Sequence, residues 1–355
     1  MTVRADLADR LLLSPAAPTK TFVLDVHTDD PDRYLADLVG GNNVEATGDA
    51  ALWGVHLPEG EFWVDQLDQR FWTFHTDMPA HVAHRYLRER VEERRDLDWV
   101  WLPSEHLRRV ATGGGAHRVR TRFAGQGLLG SAIRTNMLNL EASGSVADEV
   151  LDYLANSPQY RSSVGLEGIQ VAVGDVDEGR LYEAVNRMGK FAAYGDSLEL
   201  HFQFVRSVVL RYARFVTLLE DTEIGWDPLD PDADGGGTLT GAPITIMFSR
   251  PVPDMDLFVE EMFASRQPFR LWGVPEIVDG IAEVDAIDLH VGQRLRVDIG
   301  PTWMRIYLEQ GACGNTVARL AGNLQHRFDS ALRFAEPALQ AAFTTGTAVL
   351  GPEAN

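Results

Sequence analysis

Along this chain the apolar positions change period repeatedly, and each change marks an element. A mostly apolar run over 21–26 reads as a buried strand, and Tyr34, Leu35, Leu38 and Val39 follow at helical spacing within 31–39. Trp53-Gly54-Val55 and Val64-Asp65-Gln66-Leu67-Asp68 mark strand-like stretches, before a helical pattern over 80–95 and a last short strand over 97–102. The same succession returns near the other end. A strand-like 244–249 leads into an amphipathic 253–263, then Trp272-Gly273-Val274, Val284-Asp285-Ala286-Ile287-Asp288 and a helix over 316–328. This self-similarity predicts an α+β fold of two similar two-layer α/β-sandwich repeats, each running strand-helix-strands-helix, on either side of a helix-rich middle segment.

The middle follows a different rhythm. Strand-like runs fall over 118–123 and 166–173, and helical patterns over 146–156 and 178–190. From Leu198 the residues Phe202, Val205, Val209, Tyr212, Val216 and Leu219 step by three or four, which predicts a long helix capped by Asp196 or Ser197 after a turn at Gly195. The expected organisation is an arm over 1–19, a first unit over 20–112, the middle over 117–221, an acidic Gly/Pro linker over 222–242, a second unit over 243–333 and a tail over 334–355. Gly113-Gly114-Gly115 and Gly235-Gly236-Gly237 punctuate these boundaries, since glycine runs disfavour helix and strand alike.

Composition narrows the classes. At 355 residues, 45% hydrophobic and 24% charged, the chain has apolar material for more than one core. Its formal charge of -20 repels polyphosphates, so nucleic acid is not an expected partner. The single cysteine, Cys313, has no partner for an internal disulfide, and no run of 18 apolar residues could span a bilayer. Both fit a cytoplasmic protein with no membrane association.

Candidate chemistry is scattered. His75-Thr76-Asp77 ends a strand, His201 lies far downstream and Arg211 follows ten residues later. This set resembles the 2-oxoglutarate-dependent oxygenases, in which a basic residue after the distal histidine binds the co-substrate carboxylate. The resemblance implies Fe(II) held by His75, Asp77 and His201 with 2-oxoglutarate against Arg211. That family places these groups on strands of a double-stranded β-helix, whereas the spacing around His201 predicts a helix. His81 and His84, with His75 and Asp77, form a second cluster suited to a divalent ion or to an exposed helix start. Asp230, Asp232 and Asp234 before Gly235 copy the opening of a calcium loop, but Gly241 stands where the closing glutamate belongs. Arg118, Arg120 and Arg122 alternate along a strand and so share a face, and with Arg134 they could grip an anionic ligand. Gly125-Gln126-Gly127-Leu128-Leu129-Gly130 has the letters of a dinucleotide fingerprint without the preceding apolar strand, and reads as a turn.

With duplicated units and no convergent catalytic set, the favoured expectation is a non-catalytic scaffold or adaptor that binds another protein through its paired repeats and needs no cofactor. An Fe(II) and 2-oxoglutarate oxygenase and a sensor of anionic small ligands are the alternatives.

Overall fold

The computed structural model describes residues 7, 11, 18–66, 68–111, 115–130, 137–174, 181–195, 197–228 and 237–345. The first unit comprises β1 (Thr19–Val26), α1 (Pro31–Val39), β2 (Val44–Ala46), β3 (Leu52–Leu57), β4 (Gly60–Asp65), β5 (Phe71–Thr76), α2 (Ala80–Glu93) and β6 (Leu97–Trp99). Pro31 opens α1 with its φ already set for a helix, and Asp30 caps it by accepting from the Arg33 N–H at 3.2 Å. Tyr34, Leu35, Leu38 and Val39, the stripe expected from the spacing, are buried against Trp72 and Phe74 of the sheet.

The middle holds α3 (Ser104–Val110), β7 (Ala116–Ala124), α4 (Gln126–Leu129), β8 (Met137–Ser143), α5 (Ala147–Asn156), β9 (Leu166–Val173), β10 (Leu181–Asn186), β11 (Lys190–Gly195) and α6 (Leu198–Glu220). Ser197 caps α6, accepting from the Leu200 N–H at 3.4 Å. The expected helix over 178–190 is a correction: the described part is the β10–β11 hairpin, so the middle carries five strands and is not simply helix-rich. Leu181, Glu183 and Val185 are buried in strict alternation, a strand period, and Gly189 turns the chain at φ +63°. These strands continue the first unit's sheet in the order β2-β3-β4-β5-β1-β11-β10-β9-β7-β8. β11 pairs with the first half of β1, over Thr19–Phe22, while β6 takes the second half, over Leu24–Val26. No gap in hydrogen bonding separates the first unit from the middle.

A two-stranded ribbon of β12 (Gly225–Pro228) and β13 (Gly237–Thr240) occupies the described part of the stretch expected to be a linker. The last unit contains β14 (Ile244–Met247), α7 (Met255–Met262), β15 (Leu271–Val278), β16 (Ile281–Asp288), β17 (Arg294–Gly300), β18 (Trp303–Leu308), α8 (Gly314–Arg327), β19 (Arg333–Phe334) and α9 (Pro337–Thr345). Its sheet runs β15-β16-β17-β18-β14-β19. In the first unit the corresponding order is β2-β3-β4-β5-β1-β6, with helices likewise after the first strand and before the last. The shared letters do not sit on matching strands. Trp53-Gly54-Val55 lies in β3, second from its edge, and Trp272-Gly273-Val274 lies in the edge strand β15.

α8 is the hub. Every residue from Gly314 to His326 is buried, so this helix has no solvent face, and its polar side chains must be satisfied inside the protein. Asn315 donates to the Trp99 carbonyl at 3.1 Å, Gln325 accepts from the Ser104 N–H at 3.0 Å, and Asn323 accepts from Arg187 at 3.0 Å. Tyr212 of α6 joins the same network: its hydroxyl donates to Asn315 Oδ1 and accepts from the Trp101 N–H at 3.0 Å. Tyr212→Phe strands both partners in the interior and is expected to cost about 1–3 kcal/mol, read as a lower urea midpoint at unchanged slope.

Candidate metal centre

Two strand ends and one helix start converge on a single point. Asp25 is near the end of β1 and His27 follows two residues later, so strand alternation puts both on one face. Asp288 ends β16, and the turn that follows carries His290, whose N–H donates to Asp288 Oδ1 at 3.1 Å. Cys313 occupies the N-cap position of α8. One donor atom each from Asp25, His27, His290 and Cys313 lies within 4.8 Å of all the others, the only such group of three or more His, Cys, Asp or Glu donors among the described residues.

Three of the separations fit an ion that takes Asp25 Oδ2 as its carboxylate ligand. Tetrahedral ligands about 2.0–2.3 Å from a metal lie about 3.3–3.8 Å from one another. Cys313 Sγ is 3.4 Å from His27 Nε2 and 3.6 Å from Asp25 Oδ2, His27 Nε2 is 3.4 Å from Asp25 Oδ1, and His290 Nε2 is 3.6 Å from Asp25 Oδ2. These contacts do not make a nucleophilic relay. A Cys-His-Asp triad uses opposite ring nitrogens for thiol and carboxylate, whereas here His27 turns Nε2 to both. His290 is wholly buried, yet neither ring nitrogen has a hydrogen-bond partner. A histidine in that condition is costly without a ligand.

Charge around the point is unbalanced toward the negative. Arg70 donates to Asp25 Oδ1 at 2.6 Å, to Glu220 at 2.7 Å and to Cys313 Sγ at 3.1 Å. Behind it, Arg319 of α8 bridges Asp98 and Asp288, and Arg270 stands 3.4 Å from Asp98. Asp25, Asp98, Asp288 and Glu220 thus face Arg70, Arg270 and Arg319, one negative charge in excess, and a Cys313 thiolate would make two. Burial works against an ionised Asp25, but Arg70, helped by His27, overrides it and holds the carboxyl well below its usual range. Burial, with Asp25 close by, pushes the Cys313 thiol well up, so without a cation it stays protonated.

A family model described as MJECL33-like protein matches residues 16–342. The chain belongs to that family. It is also 22% identical over 372 aligned residues to "Uncharacterized protein MJECL33" of Methanocaldococcus jannaschii, covering 92% of this chain and 88% of that one. The match spans all four donors, which stand at 25, 27, 290 and 313. No described helix is long and apolar enough to cross a membrane.

The residues singled out from sequence lie elsewhere. His75 and His201 do meet, through the Thr21 hydroxyl, which is 2.7 Å from His75 Nδ1 and 2.7 Å from His201 Nε2. Their other nitrogens are engaged too, His75 Nε2 with Thr73 at 2.9 Å and His201 Nδ1 with Glu183 at 2.6 Å. Asp77 sits beside Lys20, which donates to its backbone carbonyl at 3.0 Å, and the three do not gather around a common ion. Arg211 lies farther along α6, near His106 and Arg109. Arg118, Arg120 and Arg122 all project from the exposed face of β7, as alternation required. Arg134, Asp230, Asp232 and Asp234 fall outside the described residues.

Sequence reasoning passed over all four donors. The available signal was a repeated Asp-x-His, Asp25-Val26-His27 and Asp288-Leu289-His290, each leaving a strand, together with a lone cysteine at a helix start. Because Asp25 is depressed in the folded state, its stabilising contribution is complete above its ordinary value of 3.8 and drains as pH falls below it. In chelator-treated protein, Asp25→Asn is expected to lower stability at pH 7 by roughly 2–3 kcal/mol. It should also flatten the acid limb of the stability profile, followed by urea unfolding across pH.

Proposed function

We propose that this protein is built around a divalent transition-metal ion, Zn(II) by its donor chemistry, held by Asp25, His27, His290 and Cys313. The observation that carries this reading is the convergence of four donors from sequence-distant segments to within 4.8 Å of one another, one of them a wholly buried histidine whose Nε2 faces the Asp25 carboxylate at 3.6 Å. One thiolate, two imidazoles and one carboxylate suit zinc, whereas magnesium and calcium take oxygen shells. A divalent cation also cancels the two negative charges left once the thiol is deprotonated. Four protein ligands close a tetrahedral shell, the pattern of structural sites. The ion's role is accordingly to fasten β1 of the large sheet to the β16–β17 turn and to the start of α8. A reduced thiolate ligand agrees with a cytoplasmic location.

Protein purified without chelators is expected to hold one zinc per chain by elemental analysis and to lose many degrees of melting temperature when stripped. Removing an outer-shell partner of a metal site costs about 10–100-fold in affinity, so losing a ligand in Cys313→Ser or His290→Ala should cost at least about 100-fold. The cobalt form should show thiolate charge-transfer absorption that Cys313→Ser abolishes. Metal binding that is absent, or unchanged in both variants, contradicts the reading.

A second reading keeps a scaffold role within view. The identical strand order in the two units supports their descent from one duplicated α+β element, and the edge strand β15 supports partner binding. Among the described residues β15 pairs only with β16 and, through a single bridge, with Ala264, and it exposes Trp272, Val274, Ile277 and Val278. An open apolar edge can take an added strand from another protein. A partner recovered from the native host with the wild-type chain and lost with Val274→Lys is the expected result; equal recovery of the same partner with both chains counts against this edge.

A further inference from the structure

The chain has 32 lysine and arginine residues, and only two are lysine, Lys20 and Lys190. They are neighbours. In the pairing of β1 with β11, Lys20 stands opposite Ala192 and Phe22 opposite Lys190, so the two lysines are diagonal partners on one face of the large sheet. α1 and α2 pack on this face over the first unit's strands, and beyond β1 it opens into a cavity of about 240 Å³. The floor is made of small residues, Gly168, Ala184 and Ala192, and a side chain at Gly168 would stand 3.2 Å from the Val185 carbonyl. Arg118, Arg120 and Lys190 form the cationic wall.

The cations here are not equally occupied. Arg118 is paired with Glu141 at 3.3 Å, and Lys20 donates to the Asp77 carbonyl at 3.0 Å. Glu141 lines the cavity and stands across the strand pair from Arg120, but its ion pair is with Arg118, and among the described residues no carboxylate lies within 4 Å of the Arg120 or Lys190 nitrogens, although the protein carries a formal charge of -20. Lys190 has instead the ring of Phe22, 5.5 Å from its ammonium. Burial and then Arg120 lower the Lys190 pKa, and burial and Lys190 lower that of Lys20 despite Asp77, so these cations repel one another across a partly dry site. Like charges gathered this way are relieved by an anion between them. Gln170, Asn186 and Tyr194 add neutral hydrogen-bonding groups around the rim. Arg122, beyond the register shift that leaves Glu167 extra in β9, does not line the cavity.

We propose that this cavity binds a small dianion, a phosphate monoester or a dicarboxylate, clamped between the Arg120 guanidinium and the Lys190 ammonium above the Gly168 and Ala184 floor. Arginine supplies a planar fork for two oxygens and lysine a compact point charge opposite it, a division of labour that accounts for the lysine at 190 in a chain otherwise so rich in arginine. The site does not depend on the metal reading, since none of its lining residues is a donor to the ion.

Calorimetric titration of the intact protein with inorganic phosphate and, separately, with succinate tests the proposal at constant ionic strength. At least one probe should bind saturably, and the tighter of the two identifies the phosphate or the carboxylate source. Arg120→Gln and Lys190→Gln should each weaken binding by about 10–100-fold, the loss expected for one charge-assisted contact. Arg161→Gln, at the turn between α5 and β9 and outside the cavity lining, should leave binding unchanged, and all three variants should keep the wild-type far-ultraviolet circular dichroism. Failure of both probes to bind saturably at millimolar concentration overturns the proposal. So does binding that survives both cavity substitutions in folded protein.

Discussion

The rest of the structure depends on one buried arginine. Arg319, wholly enclosed on a helix with no solvent face, joins Asp98 of β6 in the large sheet to Asp288 of β16 in the second, while its Nε donates to the Phe269 carbonyl at 2.9 Å. Desolvating such groups is expensive, and their mutual attraction does little more than offset the cost. What the clasp supplies is position. A helix buried on all sides by apolar residues alone could rotate or slide between its neighbours, whereas a guanidinium with two carboxylates and a carbonyl as partners has one satisfying arrangement. Removing it would leave the buried Asp288 without its cationic partner and Asp98 with Arg270 alone, a loss of about 3–5 kcal/mol.

That fixed position is what assembles the candidate metal centre. With α8 pinned at Arg319, its first turn brings Cys313 to the end of β1, where Asp25 and His27 wait. The same carboxylate that Arg319 holds, Asp288, orients the turn bearing His290 and also accepts from Thr316 Oγ1. Glu220, at the end of α6, receives the Gly314 N–H at 2.8 Å and Arg70 at 2.7 Å, which ties the helix start to the ion pair around Asp25. The charged residues of this region form one connected system. Arg319 and Arg270 neutralise the half nearest the helix, and the excess negative charge falls where the four donors meet.

Much of the fold was legible because local periodicity and burial agree. The long α6 begins at Leu198 behind a Ser197 cap, and β9 covers 166–173 as its alternation implied. The described part of 178–190, from Leu181 on, misled because isolated Leu, Val and aromatic residues satisfy a loose helical spacing as well as a period of two. Only pairing with β9 and β1 settles it as strand. The site was nearly illegible for a different reason. Asp25, His290 and Cys313 are brought together by α8 packing between the two sheets, a contact across more than 280 residues that no short motif can encode. His75 and His201 misled in the opposite sense: they do meet, but as a fully hydrogen-bonded core pair around Thr21.

The account stands on four side chains sharing one ion. X-ray absorption at the zinc edge of the zinc-loaded protein measures that shell directly. It should contain one sulfur at about 2.3 Å and three nitrogen or oxygen neighbours at about 2.0–2.1 Å. A shell of light atoms only, or a six-coordinate one, would contradict it.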